Sequence, residues 1–367
     1  MESSSSLKEL KRLKRVNREE LPWDALVIIC KTLDFEDLFQ FSGVCKSWRT
    51  FHKSNILSSK EPLLVRILFR GTTSISYSFI TIPNQKVYDL KIMSSFPPTK
   101  FTYVRASSRY FIMVNNNNNS FLLFNPFTRI KRVINATFRV NSRRFDEYRA
   151  LLAFEKSSDD KEFVLVVLCI RSRSLYVYQS RHYRWVTYST VEPEIVTDFV
   201  VFNNIIYVVT NNANIGVLNL NSRNIQFLNL ENNPKYYSSE IFWLVNCDEQ
   251  LLMFDFFRRC AYKIDLSSMH YVKMKSLGDI ALFYVFRRNC QALSNPERFG
   301  YERNYVYEVN ATNQCIMYNW NNWNYIKYGW NWSNTNTYRP PDSKTDFYFF
   351  DWCFRHLKYE VDYSLVE

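Results

Sequence analysis

The chain has 367 residues, with a hydrophobic fraction of 47% and a charged fraction of 22%. This balance is typical of globular proteins that bury a sizeable core, and the length predicts two domains or three small ones. Aromatic residues make up 17% of the chain, and large rings favour β-sheets. The net charge of +12 is spread along the chain apart from one N-terminal cluster, which argues against a dedicated nucleic-acid-binding protein.

Two further patterns argue against a membrane protein or a secreted one. No apolar run approaches the ~18 residues that a membrane span needs, and the polar N-terminus lacks the apolar core of a signal peptide. None of the eight cysteines forms a Cys-x-x-Cys pair, so the sequence has no zinc or redox motif of that kind. We therefore expect reduced thiols and a location in the cytoplasm, the nucleus or both.

Residues 1–17 are a basic extension ahead of the first apolar segment. Lys8, Lys11, Arg12 and Arg15 are spaced at i, i+3, i+4 and i+7, so a helix would place them on one face. Such a basic stripe is typical of a nuclear localisation signal or of a solvated helix extension. The sequence leaves both interpretations open.

The stretch Leu21–Phe51, LPWDALVIICKTLDFEDLFQFSGVCKSWRTF, has the apolar spacing of three short helices. Pro22 and Asp24 favour the first turn of the first helix, and Asp34 can cap a second one. Gly43 fits the end of that second helix. Short helices bury little surface among themselves, yet these carry many apolar residues. The surplus must pack on the following domain or on a partner protein.

This ordered pattern resembles an F-box, which we assign to residues 18–60. The resemblance rests on Leu21-Pro22, the apolar helix up to Leu33, and the closing Val-Cys-Lys-x-Trp segment. It implies that the helices dock on a Skp-type adaptor protein and, through it, on a cullin–RING ubiquitin ligase. The positions that match the family's adaptor-facing or core pattern are Leu21, Pro22, Leu26, Ile29, Leu33, Leu38, Val44, Cys45 and Trp48.

From residue 61 to residue 350 the chain alternates short strand-like runs with polar turns. Six pairs of runs have hairpin spacing, and their second strands centre near residues 79, 123, 177, 218, 263 and 317. Repeats of about 40–50 residues with about four strands each are typical of β-propeller blades. The length allows six or seven blades, and a pair of β-sandwiches is the alternative architecture. The predicted fold class is α+β multidomain, with a three-helix F-box followed by an all-β domain.

The all-β domain resembles the divergent domain found in a large group of plant F-box proteins. The best match is FLLFNPFTRIKRV (121–133), which contains a Leu-x-Asn-Pro-Phe-Thr core. Kelch blades use glycine doublets, and this chain contains no Gly-Gly. WD-repeat blades use Trp-Asp, which here occurs only as Trp23-Asp24 in the helical region. The resemblance implies no known chemistry.

No pattern in the sequence predicts catalysis. The four histidines have no second histidine at metal-ligand spacing, and the HExxH, GxSxG and Walker motifs are absent. We therefore predict no catalytic, cofactor-binding or metal-binding residue, and no cofactor. A propeller hydrolase or lectin would need converging carboxylates or histidines around the channel, and the sequence does not reveal such a set.

Two stretches near the C-terminus carry further predictions. Clustered tryptophans in residues 317–340 are a candidate target-binding surface, because rigid rings bind at low entropy cost. These candidates are Trp320, Trp323, Trp330 and Trp332. Packing inside the last blade is the alternative for them. Residues 351–367 are assigned to a C-terminal tail, and Phe347–Phe350 are expected to add a closing strand to the first blade.

The combined prediction is a non-catalytic substrate receptor of an SCF-type (Skp–cullin–F-box) ubiquitin ligase. The F-box would bind the adaptor, and the all-β domain would bind a target protein that the sequence does not name. The alternative is a propeller-type interaction module that acts outside any ligase and keeps the helical region only for folding.

Overall fold

A computed structural model describes residues 21–33, 41, 43–56, 60–70, 74–83, 86–90, 101–115, 117–128, 130–140, 148–156, 161–189, 194–234, 242–310, 315–323, 325–326 and 347–365. The chain divides into two compact units, Met1–Ser59 and Lys60–Glu367. Within the described residues the first unit is helical and the second is built from strands. No described helix is both long and apolar enough to cross a membrane.

The first unit contains helix α1, Trp23–Thr32, and helix α2, Lys46–Ile56. Pro22 precedes α1, and its carbonyl accepts the hydrogen bond of the Leu26 N–H at 3.1 Å. Asp24 lies in the first turn, where a negative charge stabilises the helix dipole. Two of the three predicted helices are therefore present. Most of the predicted middle helix, residues 34–40, lies outside the described residues.

The second unit is a six-bladed β-propeller, which confirms the predicted architecture and settles the number of blades. The strands of blade 1 are β1 (Pro62–Arg70), β2 (Ser74–Thr81), β3 (Lys86–Leu90) and β25 (Phe347–Phe354). Blade 2 contains β4 (Phe101–Ser107), β5 (Tyr110–Asn115), β6 (Ser120–Phe124) and β7 (Lys131–Asn135). Blade 3 contains β8 (Tyr148–Glu155), β9 (Phe163–Cys169), β10 (Ser174–Gln179), β11 (Arg184–Tyr188) and β26 (Glu360–Val361).

The other three blades complete the ring. Blade 4 contains β12 (Val196–Phe202), β13 (Ile205–Thr210), β14 (Ile215–Asn219) and β15 (Asn224–Phe227). Blade 5 contains β16 (Trp243–Cys247), β17 (Gln250–Asp255), β18 (Cys260–Asp265) and β19 (His270–Lys273). Blade 6 contains β20 (Ile280–Val285), β21 (Asn289–Ser294), β22 (Tyr305–Val309), β23 (Cys315–Asn319) and β24 (Tyr325–Ile326). Each predicted hairpin forms the middle of one blade.

Neighbouring blades are held together by apolar side chains that interdigitate between their sheets. Blades 2 and 3, 3 and 4, 4 and 5, 5 and 6, and 6 and 1 each share a buried cluster. Blade 1 meets blade 2 through Phe79 and Phe111, whose ring centroids are 6.3 Å apart. The closed ring covers the sheet faces that single four-stranded sheets would leave exposed.

The C-terminal strand β25 closes the ring. It pairs antiparallel with β1 from Pro62↔Phe354 to Phe69↔Phe347, so the predicted closing strand is confirmed. The predicted boundary at residue 350 falls inside this strand, and residues 351–365 therefore belong to the propeller and not to a separate tail. The physical reason is the burial of Trp352 and Phe354 between blades 6 and 1.

After β25 the C-terminal segment, residues 355–365, crosses to blades 3 and 4. Arg109 Nε donates to the carbonyl of Arg355 at 2.8 Å, and β26 adds a short parallel pairing to β8. The Asp362 N–H then donates to the carbonyl of Asn204 in blade 4 at 2.9 Å. These contacts fix the segment to the turns that follow the innermost strands of blades 2 and 4.

Blades 3 and 6 each contain five strands, and blade 6 also has an unusual strand order. Its inner edge is the antiparallel hairpin of β20 and β21, and β20 pairs in parallel with β22. Between β21 and β22 the chain makes a short 3₁₀ turn, Pro296–Phe299. This turn ends at Gly300, which has a φ of +78°.

Gly300 gives a test of local backbone packing. A Cβ atom there would lie 2.8 Å from Cβ of Pro83, and its φ of +78° is strained for other residues. We expect Gly300→Ala to lower the free energy of unfolding by about 2–3 kcal/mol, measured by urea denaturation. Gly278 is the control, because its φ is +63° but a Cβ there meets nothing within 4 Å. An equal loss in Gly278→Ala would show that the Pro83 contact contributes nothing.

Candidate functional site

The helical unit has a small core and an excess of apolar surface. Leu26, Phe41 and Phe51 are buried in that core. Trp48 stacks on Phe41 with ring centroids 4.2 Å apart, and the rings of Trp23 and Phe51 are T-shaped with centroids 5.4 Å apart. Cys45 supports the start of α2, because its sulfur accepts the backbone N–H of Trp48 at 3.4 Å.

Among the described residues of this unit, four large apolar side chains stay in contact with solvent. Leu21 is 42% exposed, Trp23 55%, Val44 61% and Ile28 67%. Ile28 lies on α1 two residues from the buried Leu26, so the helix presents apolar groups on opposite faces. A unit this small that exposes several large apolar groups has the character of a docking module.

The structure separates the nine residues that the sequence assigned to adaptor binding. Leu21, Pro22 and Val44 are exposed. Leu26 is fully buried and is therefore a core residue, because no partner can reach its side chain. Three half-buried members pack against that core, namely Ile29, Leu33 and Trp48. Cys45 is half-buried as well. Leu38 lies outside the described residues.

Trp23 and Ile28 are exposed residues that the sequence reading did not select. A helical spacing argument could have found Ile28, since an apolar residue on the face opposite Leu26 is not needed by the core. Trp23 offers no such signal, because it is the first residue of the helix and its ring still contacts Phe51.

The propeller axis carries a cluster of buried polar side chains, which we call the axial polar cluster: Arg105, Arg149, Asp198, Asn289 and Asp351. Each member lies on the innermost regular strand of a different blade and is at least nine-tenths buried. Irregular strand register immediately precedes Arg105 in β4 and Asp198 in β12. Bulges of this kind commonly re-aim a side chain.

Asp351 is the acceptor at the centre of this cluster. Its Oδ2 accepts the Tyr103 hydroxyl at 2.6 Å and the Ala106 N–H at 2.8 Å. Its Oδ1 accepts the Asn289 amide at 3.0 Å, and Asn289 in turn accepts a hydrogen bond from Arg105. These bonds join blades 1, 2 and 6, including two that are not neighbours in the ring. Burial beside Asp351 raises the pKa of Tyr103 well above its usual value, so this phenol stays protonated.

Arg149 and Asp198 form the other half of the cluster. Their charged atoms are 3.6 Å apart, and the Arg149 guanidinium lies 3.9 Å from the ring centre of Trp243 in blade 5. Burial raises the pKa of Asp198, while the positive charges of Arg149 and Arg105 oppose this shift. The cluster contains two arginines and two aspartates, so its formal charges cancel. Arg149 also donates to the carbonyl of Thr197, and Asp198 Oδ2 accepts the Leu244 N–H at 2.9 Å, so the cluster is tied to the surrounding backbone as expected of a structural network.

No metal centre is found in the part of the chain that the structure describes. No group of three or more His, Cys, Asp or Glu side chains there could hold a metal ion. All eight cysteines are unpaired thiols. Burial raises the pKa of Cys290 and Cys353, which disfavours the reactive thiolate.

The structure describes two of the four candidate target-binding tryptophans. Trp320 is 4% exposed and packs between blades 5 and 6, with its ring 5.9 Å from that of Phe254. Trp320 is therefore a core residue, and the target-binding role predicted for it is corrected. Trp323 is half-buried and stacks on Tyr318 at 4.6 Å. Trp330 and Trp332 lie outside the described residues.

His356, in the C-terminal segment, makes the stability of the propeller depend on pH. Burial lowers its pKa to about 4, and the charge of Lys60 adds to this shift while Asp248 opposes it. An unfolded histidine titrates near pH 6.5. The unfolded chain therefore binds a proton that the folded chain does not bind between that pH and about 4. The contribution of His356 to the free energy of unfolding is therefore fully present above this pH range and is lost as the pH falls through it.

We expect this histidine to account for a loss of up to about 3 kcal/mol of stability on acidification. Urea denaturation of wild type and His356→Gln at pH 7.0 and pH 4.5 measures it. The difference in free energy of unfolding between wild type and His356→Gln should change by this amount between the two pH values. The exposed His182→Gln control should lose as much stability as wild type. An equal difference in stability at both pH values would contradict the role given to His356.

The comparisons with known proteins agree with this architecture. An F-box domain matches residues 19–58, and a domain described as the KIB1-4 beta-propeller matches residues 77–319. The fold and the sequence matches together define an F-box protein with a divergent propeller. The chain belongs to the KIB1-4 beta-propeller family.

Several solved structures are distantly similar to this chain. A streptogramin B lyase is 8% identical, with a TM-score of 0.37 over 59% of this chain and 69% of that chain. Virginiamycin B lyase from Staphylococcus aureus is 11% identical, with a TM-score of 0.35 over 59% and 78%. The Cps50 (Swd1) propeller domain of Myceliophteria thermophila is 10% identical, with a TM-score of 0.37 over 70% and 80%. The comparison with curated proteins gives no match.

Proposed function

We propose that this chain is the substrate-recognition subunit of an SCF-type ubiquitin ligase. Its F-box binds a Skp-type adaptor, which connects it to a cullin–RING assembly, and its propeller binds a target protein. The observation that carries the proposal is the exposure of Leu21, Trp23, Ile28 and Val44 in a unit that matches an F-box. Burying one such side chain at an interface contributes roughly 1.5–3 kcal/mol.

The proposed mechanism is proximity and involves no bond chemistry by this chain. Holding a target near a charged ubiquitin carrier raises the effective concentration of the reacting groups. The axial polar cluster supports a non-catalytic role, because its carboxylates are buried and engaged with neighbouring donors. The unpaired thiols fit a reducing compartment, and we place the assembly in the cytoplasm, the nucleus or both.

Replacing Val44 by glutamate tests the adaptor surface. Val44 is 61% exposed, whereas Val133 on the outer strand β7 of blade 2 is 63% exposed, so Val133→Glu is a matched control. We expect Val44→Glu to weaken adaptor binding by about tenfold or more, because a charge must be desolvated at an apolar interface. Pull-down and titration calorimetry with a purified Skp-type adaptor measure the effect.

Wild type and Val133→Glu should bind the adaptor equally well. Ile28→Glu provides a second, independent position on α1, which is 67% exposed. If both F-box variants bind as tightly as wild type, these residues do not form the adaptor surface. If wild type itself does not bind, the chain is a propeller interaction module outside the ligase.

A further inference from the structure

Two turns with the same Phe-Arg-Arg sequence lie side by side on blades 5 and 6. The first joins β17 to β18 and contains Phe257, Arg258 and Arg259. The second joins β20 to β21 and contains Phe286, Arg287 and Arg288. The ring of Phe256 stacks on Tyr284 with centroids 4.0 Å apart. The Tyr284 hydroxyl accepts the Arg287 N–H at 3.2 Å, so these contacts hold the two turns together.

The apolar and charged groups of these turns are presented to solvent. Phe257 is 87% exposed and Phe286 is 40% exposed. Arg259 and Arg287 are exposed as well. We call Phe257, Arg259, Phe286 and Arg287 the blade 5–6 surface. A phenylalanine exposed to this degree contributes little to the propeller core, and it is costly to leave in water.

The arginines of this surface stack on aromatic rings. The Arg259 guanidinium lies 4.6 Å from the ring centre of Trp323, and the Arg287 guanidinium lies 5.3 Å from that of Phe286. Within the described part of the chain, neither arginine forms an ion pair. Stacking orients a guanidinium while its N–H groups remain available to an anionic partner.

The basic area is short. The equivalent turn of blade 4, residues 211–214, is uncharged, and its Asn214 side chain donates to Glu194. A nucleic-acid strand needs a continuous row of basic residues along its phosphates. The uncharged turn of blade 4 interrupts such a row. A short peptide needs only a local patch, and aromatic residues with arginine are the typical composition of protein-binding sites.

We propose that the blade 5–6 surface binds an acidic segment of a partner protein, with Phe257 and Phe286 packing on apolar side chains between the acidic ones. The arginines would form charge-assisted hydrogen bonds to the carboxylates. This inference rests on the proposed function, since it gives the propeller a target-binding face and a target chemistry. It also gives a role to Trp323, whose ring stacks with the Arg259 guanidinium.

Fluorescence anisotropy with the full-length protein tests this surface. The probe is a labelled short peptide of glutamate, aspartate and leucine, and the variant is Arg259→Glu/Arg287→Glu. The control is Arg171→Glu/Arg173→Glu in the equivalent turn of blade 3, where both arginines are exposed. We expect wild type to bind the probe, the variant to bind at least about tenfold more weakly, and the control to stay within about twofold of wild type.

Phe257→Ser separates the apolar contribution from the charge, and we expect it to weaken binding at unchanged net charge. The proposal is overturned if wild type does not bind, if the blade 3 control loses as much as the variant, or if a single-stranded RNA of matched length displaces the peptide and binds more tightly. Adaptor binding is measured on the same preparations. Peptide binding without adaptor binding would support this surface while contradicting the ligase function.

Discussion

A chain that ends at residue 346 will not form the propeller. Such a chain lacks β25, which supplies the inner strand of blade 1 and pairs with β1 along its length. It also loses Phe350, Trp352 and Phe354 from the cluster between blades 6 and 1. The exposed edge of β1 would then be open to pairing with other chains. We expect loss of the near-ultraviolet circular dichroism signal and aggregation during size-exclusion chromatography.

A chain that ends at residue 358 is the matched control for this truncation. It keeps β25 but loses β26 and the buried Tyr363. We expect it to fold with a lower midpoint of thermal unfolding, because only a two-residue pairing and a few packed side chains are removed. Native-like spectra and cooperative unfolding of the chain ending at residue 346 would show that blade 1 closes without its C-terminal strand.

Replacing Asp351 by alanine will destabilise the propeller by about 3–5 kcal/mol. The change removes the acceptor of the Tyr103 hydroxyl, the Ala106 N–H and the Asn289 amide. All of these donors are buried, so water cannot easily replace the carboxylate. It also leaves the positive charge of Arg105 less well balanced in the axial polar cluster. Urea denaturation followed by circular dichroism measures the loss.

Asp279→Ala is the control for this substitution. The Asp279 side chain is 71% exposed and lies 3.3 Å from Arg303, and exposed ion pairs contribute at most about 1 kcal/mol. If Asp351→Ala costs no more than this control, the axial polar cluster does not hold the blades together.

The sequence predicted the repeating part of the propeller well, because it depends on local patterns. Each middle hairpin combines two apolar runs with a polar turn, and the closing strand is an aromatic run at the end of the chain. The length left six or seven blades open, and the structure has six, two of which contain five strands. The parallel pairing of β20 and β22 has no local signal. Strand β26 has only two residues, which is too short for a recognisable sequence pattern.

The axial polar cluster could not be predicted for a different reason. Arg105 and Asn289 are 184 residues apart in sequence, and Tyr103 and Asp351 are 248 apart. Only ring closure brings them together, and the irregular pairing that precedes Arg105 is invisible in the residue types. At the F-box, the spacing identified which residues are apolar but not which way each one faces. Leu26 therefore proved to be core, and Ile28 proved to be exposed.

The most direct test of the central claim is whether the full-length chain forms a stable complex with a purified Skp-type adaptor. Size-exclusion chromatography with light scattering on equimolar mixtures measures this without any substitution. The substrate-receptor account predicts a single complex with the summed mass of both proteins, which then recruits a cullin–RING assembly. Separate elution of the two proteins at micromolar concentrations would contradict that account and leave the chain as a propeller that acts without a ligase.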